Sequence, residues 1–405
     1  MTHSLRPWRS GGRLLVLVGI LMSAFNLRTA VTSLSPLLDV LGTEFGFGNT
    51  MAGVLGMLPT AAFAVFGVLT PRLARRLGLE QTALLSMLLA AAGLMARAGA
   101  TDTVSLMAAS VLALAGMGIG NVVLPPLVKR YFPDRVGTVS TLYITILQLG
   151  TMLPALLAVP LAAAAGWRMS LGIWSLLAML AALPWLKLLL DRRRSHAMDE
   201  GDAATELPAP EARGHVGRTS LGWGMALMFG MTSLITYAMF TWLPRLMVEA
   251  GASPTYGGTL LALFSAFGLL SSLSMPTLAV RIRNPYPIVV VCSACYLAAF
   301  AGLLWAPLAA PLLWLTLLGL GPSTFPLALT LINLRTRTPG GSSALSGFMQ
   351  GVGYTLSCMG PLFFGLLHEL GNGWQLPFAF LTVCVAVLLV GAWLACKPRH
   401  LEDCW

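Results

Sequence analysis

The sequence predicts an all-α integral membrane protein: twelve transmembrane helices in two pseudo-symmetric six-helix bundles. Three observations predict it. The 405 residues are 57% hydrophobic and only 10% charged, against roughly 25% charged residues in soluble domains. The apolar residues gather into runs of about 20, enough to cross a bilayer as a helix. The two halves of the chain also repeat one order of glycines, prolines and basic residues.

The twelve runs cover 14–37, 49–70, 79–97, 104–128, 138–163, 168–190, 220–245, 256–279, 286–306, 311–334, 343–367 and 374–396. They are too long and too closely spaced for the alternating ten-residue strands of a membrane barrel. Span 1 follows Arg6, Arg9 and Arg13 and contains Asn26 and Arg28. Its length and the lack of a small-x-small cleavage site argue for a retained helix rather than a signal peptide. Arg72, Arg75 and Arg76 follow span 2, and Lys129, Arg130 and Arg135 follow span 4. Lys187, Arg192, Arg193, Arg194, Arg213 and Arg218 lie between spans 6 and 7. Arg281 and Arg283 follow span 8, Arg335 and Arg337 follow span 10, and Lys397 and Arg399 follow span 12. If all twelve runs cross, these residues share one side of the membrane. Of the 25 Lys and Arg residues, only Arg28, Arg97, Arg168 and Arg245 remain. The positive-inside rule therefore expects both termini and the long loop in the cytoplasm, with the chain in the cell (inner) membrane.

The halves match in detail. Gly118-Ile-Gly120 with Pro125 in span 4 corresponds to Gly319-Leu-Gly321 with Pro326 in span 10. Pro154 and Trp167 correspond to Pro361 and Trp374, and Pro36 to Pro244. Pro71-x-Leu-Ala-x-Arg76 corresponds to Pro276-x-Leu-Ala-x-Arg281. The expected organisation is an N-terminal bundle over 1–190, a cytoplasmic linker over 191–219 and a C-terminal bundle over 220–405. The linker is rich in Ala, Pro and charge, without an apolar stripe, and is expected to be flexible. Parallel repeats with a site at their interface near the midplane are a transporter design.

Several other functions find no support. The net charge of +10 is a topology signal by its placement, so no nucleic-acid partner is expected. Cys292-x-x-Cys295 lacks a second ligand pair and sits in an apolar helix, which favours packing over a metal or redox role. Gly116-Met-Gly118-Ile-Gly120 imitates a dinucleotide fingerprint without the preceding strand or the later acid. Close helix packing explains those glycines better. No cofactor, metal or enzyme centre is expected, and the linker is short for the output domain of a receptor.

The polar residues inside the spans carry the functional signal. A charge near the bilayer centre costs about 2.5–3.5 kcal/mol on insertion scales. Arg28 lies roughly 21 Å into its helix at 1.5 Å per residue, and no Asp or Glu lies at its depth in any span. Its planar fork suits a planar anion. Two readings stand: Arg28 faces substrate, or it bonds carbonyls exposed at helix breaks. The repeat places Thr236 opposite Arg28, so the positive site is one-sided and fits one small anion or one polarised neutral group. Tyr143 pairs with Gln350 through the same repeat, and equivalent polar positions would face one cavity. Gln148 and Tyr354 lie deeper in those helices, and Tyr237 falls beside Arg28's counterpart. Asn26 is a weaker candidate, and Asn121 is expected to bond a neighbouring helix. Arg245 and Glu249, one turn apart, read as a local ion pair or part of an outer gate.

The architecture resembles the major facilitator superfamily. Gly67-x-x-x-Pro71-Arg72-Leu-Ala74-Arg75-Arg76 is similar to the superfamily signature G-x-x-x-D-R-x-G-R-K, with Pro71 at the aspartate and Ala74 at the second glycine. Asn26-Leu-Arg28 with Pro36, Gly118-Ile-Gly120 with Pro125, Trp242-Leu-Pro244, Phe325-Pro326 and Phe348-Met-Gln350-Gly351 resemble the cyanate and nitroimidazole permease branch. The resemblance covers roughly residues 14–395. It implies a secondary active or facilitative transporter that moves a small anionic or weakly acidic solute by alternating access. The rival is a proton-coupled exporter of small drugs such as nitroimidazoles. The expected partners are the small-molecule solute and the lipid bilayer, with the protein a monomer.

Overall fold

Each long apolar run becomes helix, because a backbone in hydrocarbon must satisfy its own hydrogen bonds. The computed structural model describes residues 10–132, 134–196, 215–337 and 339–404. Its helices are α1 (Ser10–Asn26), α2 (Thr29–Thr32), α3 (Leu38–Phe45), α4 (Asn49–Leu77), α5 (Leu79–Ala98), α6 (Thr103–Tyr131), α7 (Val136–His196) and α8 (Ser220–Glu249). They continue with α9 (Pro254–Arg281), α10 (Tyr286–Trp305), α11 (Pro311–Leu320), α12 (Thr324–Leu334), α13 (Pro339–Ser357), α14 (Met359–Gly371) and α15 (Gln375–Ala395). Among the described residues there is no strand. The expected linker falls mostly on 197–214, outside the described residues, although α7 carries helix as far as His196.

Among the described residues, ten helical stretches are long and apolar enough to cross a membrane. One of them holds two spans. At Gly166, φ is 82° and ψ 158°, a backbone that glycine adopts at little cost. There α7 turns back as two helices with no loop between them. The remaining span is the pair α13 and α14, interrupted at Cys358 and diluted by Ser346, Gln350 and Thr355. The twelve expected spans are thus accounted for, in two six-helix bundles.

Span 1 differs from a simple rod. It runs as α1, α2, a 3₁₀ turn at Ser35–Leu37, and α3. The break falls after Asn26, and Arg28 sits at φ −129°, ψ −6°. Local side chains compete for its backbone. Asn26 Nδ2 donates to Met22 O at 2.9 Å, Thr29 Oγ1 to Asn26 O at 3.1 Å, and Thr32 Oγ1 to Arg28 O at 3.3 Å. Its repeat partner α8 is one continuous helix of 30 residues.

The glycine run of span 4 packs helices closely, as expected. A Cβ on Gly116 would meet Ser86 O at 2.4 Å, and one on Gly120 would meet Leu27 Cδ2 at 2.7 Å. Ser86 Oγ uses that approach to donate to Gly116 O at 2.9 Å. Helix starts are capped where polar residues permit. Asp102 and Ser105 cap α6 reciprocally, and these bonds hold the exposed Asp102 carboxyl below its ordinary range. Ser253 caps α9 ahead of Pro254. At the start of α5, buried Glu80 accepts from Tyr131 Oη at 2.5 Å and faces Arg130 at 3.7 Å.

Candidate functional site

The break in span 1 frees Leu27 O, and Arg28 turns its side chain back to it. Arg28 Nη1 donates to Leu27 O at 3.1 Å and to Asn121 Oδ1 on α6 at 3.2 Å. Both N–H groups of Nη1 are then used. No protein acceptor among the described residues meets Nε or Nη2. The guanidinium also lies over the ring of Phe63 on α4, 4.8 Å from its centroid, a cation–π geometry. Arg28 is half-buried, and no carboxylate pairs with it among the described residues.

Three tyrosines from both bundles lie within electrostatic reach of the same charge. Arg28 acts electrostatically on the hydroxyls of Tyr143 on α7, Tyr237 on α8 and Tyr354 on α13. These helices come from both bundles. Phe63 joins the group edge-on, 6.3 Å from the Tyr237 ring and 5.9 Å from the Tyr354 ring. Behind them stand Phe229, 5.1 Å from Tyr354, and Phe240, 5.9 Å from Tyr237. The result is one cationic edge set in an aromatic wall. Such a wall can cover the face of a flat solute while the arginine edge holds its polar end.

The other sequence candidates lie apart from Arg28's hydrogen bonds. Asn26 donates within its own helix, and its Oδ1 is buried without a partner. Asn121 on α6 bonds span 1 through Arg28, at the break between α1 and α2. Its Nδ2 is buried and unpartnered beside the site. Gln148 donates from Nε2 to Ser265 O on α9 at 3.1 Å, linking the bundles. Gln350 donates to Ser346 Oγ on its own helix at 2.9 Å. Thr236, the counterpart of Arg28, donates to Thr232 O at 2.8 Å inside unbroken α8. Sequence reasoning missed Phe63. It lies inside an apolar run, and only its position one helix away from Arg28 marks it.

A second polar group ties the bundles at the end away from the basic loops, called the outer end here. Arg245 on α8 pairs with Asp39 on α3 at 3.1 Å and with Glu249 at 2.8 Å. His368 on α14 meets Glu249 Oε2 at 3.3 Å and Asn49 on α4 at 2.9 Å. Glu369 accepts from Thr50 N at 2.8 Å and from the Thr50 hydroxyl. Arg245 and Glu249 are thus a local pair that also crosses to the other bundle. Two glycines bring α4 in to meet them. A Cβ on Gly53 would lie 2.8 Å from Pro361 O, and one on Gly56 would lie 2.4 Å from the Thr241 side chain.

Known proteins share this architecture. The family model described as Major Facilitator Superfamily matches residues 17–358. The chain is 31% identical over 390 residues to the uncharacterized transporter YycB of Bacillus subtilis (strain 168), covering 95% of this chain and 94% of that protein. It is 30% identical over 392 residues to the 2-nitroimidazole transporter of Escherichia coli (strain K12), covering 96% and 97%. It is 28% identical over 393 residues to the cyanate transport protein CynX of the same organism, covering 96% and 98%. Its fold is similar to a crystal structure of a bacterial homolog to the human lysosomal transporter Spinster, with TM-score 0.72, 15% identity and 99% of both chains covered. A matching family model over most of the chain, and full-length relatives that are transporters, place this multi-pass membrane protein among transporters of small solutes rather than enzymes: the chain belongs to the Major Facilitator Superfamily.

Proposed function

We propose that this protein moves a small anionic or weakly acidic solute by alternating access around Arg28. The carrying observation is the unused Nε–Nη2 edge of Arg28: three N–H donors, half-buried, with no protein acceptor. A fork of that shape pairs with a planar or linear anion through two parallel hydrogen bonds. Tyr143, Tyr237 and Tyr354 supply hydroxyls around it, and Phe63 supplies a face. Asn26, Gln148 and Gln350 complete the candidate cavity as the bundles move. The bundles over 1–190 and 220–405 rock about the site, joined by the linker over 191–219. The basic loops then face the cytoplasm of the inner membrane, with both termini on that side. A monomer suffices, since one chain supplies the whole site.

Coupling follows from what the site contains. Intramembrane carboxylates or histidines commonly relay protons, and none stands at the depth of Arg28. Exchange, facilitated passage, or a proton carried by the solute itself fits this chemistry. A second reading is export of a nitroimidazole-like drug. The aromatic wall of Phe63, Tyr237 and Tyr354 favours it, because a nitro group can accept from the arginine edge while the ring stacks. A relative named for 2-nitroimidazole at 30% identity lends the same support.

Proteoliposomes offered cyanate, nitrate, nitrite, small carboxylates and 2-nitroimidazole test both readings. Wild type should carry at least one solute. Arg28→Ala should abolish that flux. Arg28→Lys should reduce it about 10- to 100-fold, since hydrogen bonds to charged groups contribute about 1.5–3 kcal/mol. Normal flux of every accepted solute in both variants would make Arg28 a packing residue and overturn the proposal. Flux confined to nitroimidazoles and driven by a proton gradient would favour the second reading.

A further inference from the structure

We infer that Arg97 forms a second anion-binding subsite, on the outer side of Arg28, that a small inorganic anion occupies between the outer mouth and the centre. The inference rests on the central anion reading above and adds a station to it. Arg97 lies in the last turn of α5 and is 1% exposed. It has no carboxylate partner among the described residues. Its Nε donates to Ser110 Oγ at 2.8 Å, and its Nη1 donates to Ala30 O at 2.6 Å. A guanidinium has five N–H donors, so three remain, including both on Nη2. Nearly every other buried polar group in a fold finds a partner. A buried cation left with three free donors and no acid is an electrostatic invitation to an anion.

The space beside it has the right place and lining. Arg97 borders a void of about 10 Å³ between the bundles, enclosed by α2 and α4 on one side and Thr241 of α8 on the other. That volume is about the room one water needs. Ser35 and Thr241 also line it, but their hydroxyls donate to Val31 O at 3.2 Å and Tyr237 O at 2.9 Å, which leaves Arg97 as the donor for an anion. Leu38 borders this void and also a larger outer cavity of about 260 Å³, where Arg245 sits. Leu38 is therefore the partition between the mouth and Arg97. Ala30, held by Arg97, lies two residues beyond Arg28. The three arginines differ in their partners: Arg245 is neutralised by Asp39 and Glu249, while Arg97 and Arg28 have no acid beside them among the described residues. An anion entering from the outer cavity meets the screened charge first and Arg97 after it. The void has room for one ion close to the size of a water, such as a halide, and excludes larger polyatomic ions and rings.

The test uses the purified full-length protein and measures the rise in thermal unfolding midpoint with sodium chloride, nitrate or thiocyanate. Sodium gluconate holds ionic strength constant. Wild type should be stabilised by the small anions. Arg28→Ala should keep part of the chloride rise, and Arg28→Ala with Arg97→Gln should lose it. Ser35→Val, which leaves both Arg97 hydrogen bonds intact and sets a bulkier apolar group in the lining of the void, should weaken the remaining chloride rise at least threefold when combined with Arg28→Ala. This variant keeps the test open if Arg97→Gln fails to fold. If Arg28→Ala alone removes every anion effect, one site accounts for all binding and the Arg97 subsite is overturned. If wild type itself shows no anion effect, the central anion reading falls with it.

Discussion

Arg28 divides its guanidinium between two tasks. Nη1 closes the helix break through Leu27 O and Asn121 Oδ1, and Nε and Nη2 keep three N–H groups for the proposed solute. The two readings open at the level of sequence are therefore compatible in one side chain. Phe63 is the residue that makes this geometry specific, since it touches the cation and two of the three tyrosines. Cation–π contacts contribute about 0.5–2 kcal/mol. Phe63→Leu should therefore raise the KM for a transported anion roughly 2- to 30-fold, and Phe63→Tyr should largely preserve it. An unchanged KM in Phe63→Leu vesicles would remove the ring from the site. Arg28 was legible in the sequence because a lone charge in an apolar run is conspicuous. Phe63 was not, because a phenylalanine in a membrane helix looks like any other apolar residue. Asn121 was legible as a bond to another helix, though not as a bond to Arg28, since register between helices is set by packing.

At the scale of elements, the outer end of α4 is shaped for close approach. Gly53 and Gly56 lie against Pro361 and Thr241 with no room for a side chain. Gly56→Val should hold α4 away from α8 and α14 and expose the outer end. A cysteine at Ala52, which borders the outer cavity, should then react faster with a membrane-impermeant maleimide. Equal labelling with and without Gly56→Val would contradict this. Glu369 adds a pH dependence. The Thr50 hydroxyl and N–H hold its carboxyl below the ordinary range. A depressed pKa in the tied state means the tie is fully present above about pH 4.3, the ordinary glutamate value. It is lost as pH falls through the lower, tied-state value. Labelling at Ala52 should rise on acidification below pH 4, and Glu369→Gln should flatten that rise. The break in span 1 was only partly legible. Pro36 marked its outer part, but the turn at Arg28 depends on Asn26, Thr29 and Thr32 acting together on the backbone.

For the whole molecule, the repeat was the most readable feature, because glycines and prolines mark backbone geometry that both bundles share. The asymmetry between broken span 1 and continuous α8 was visible only as Arg28 facing Thr236. In the proposed alternating access, motion of one bundle against the other strains different contacts at different depths. Asp39, Arg245 and Glu249 are partly exposed, and exposed pairs are screened over about 8–10 Å at physiological salt. Arg28 is set deeper and is screened less. Raising salt from 0.05 to 0.5 M with an untransported electrolyte should increase labelling at Ala52 while changing solute affinity at Arg28 by less than about twofold. Parallel changes in both would place the outer ties and the central site in one screened environment.

Gly166 has a consequence for how the chain enters the bilayer. Spans 5 and 6 meet there without an intervening loop, and Arg168 just beyond it reaches Ala100 O at 3.4 Å and Glu44 at 3.7 Å. Two helices joined so tightly are expected to enter the membrane together, as a hairpin that turns at Gly166.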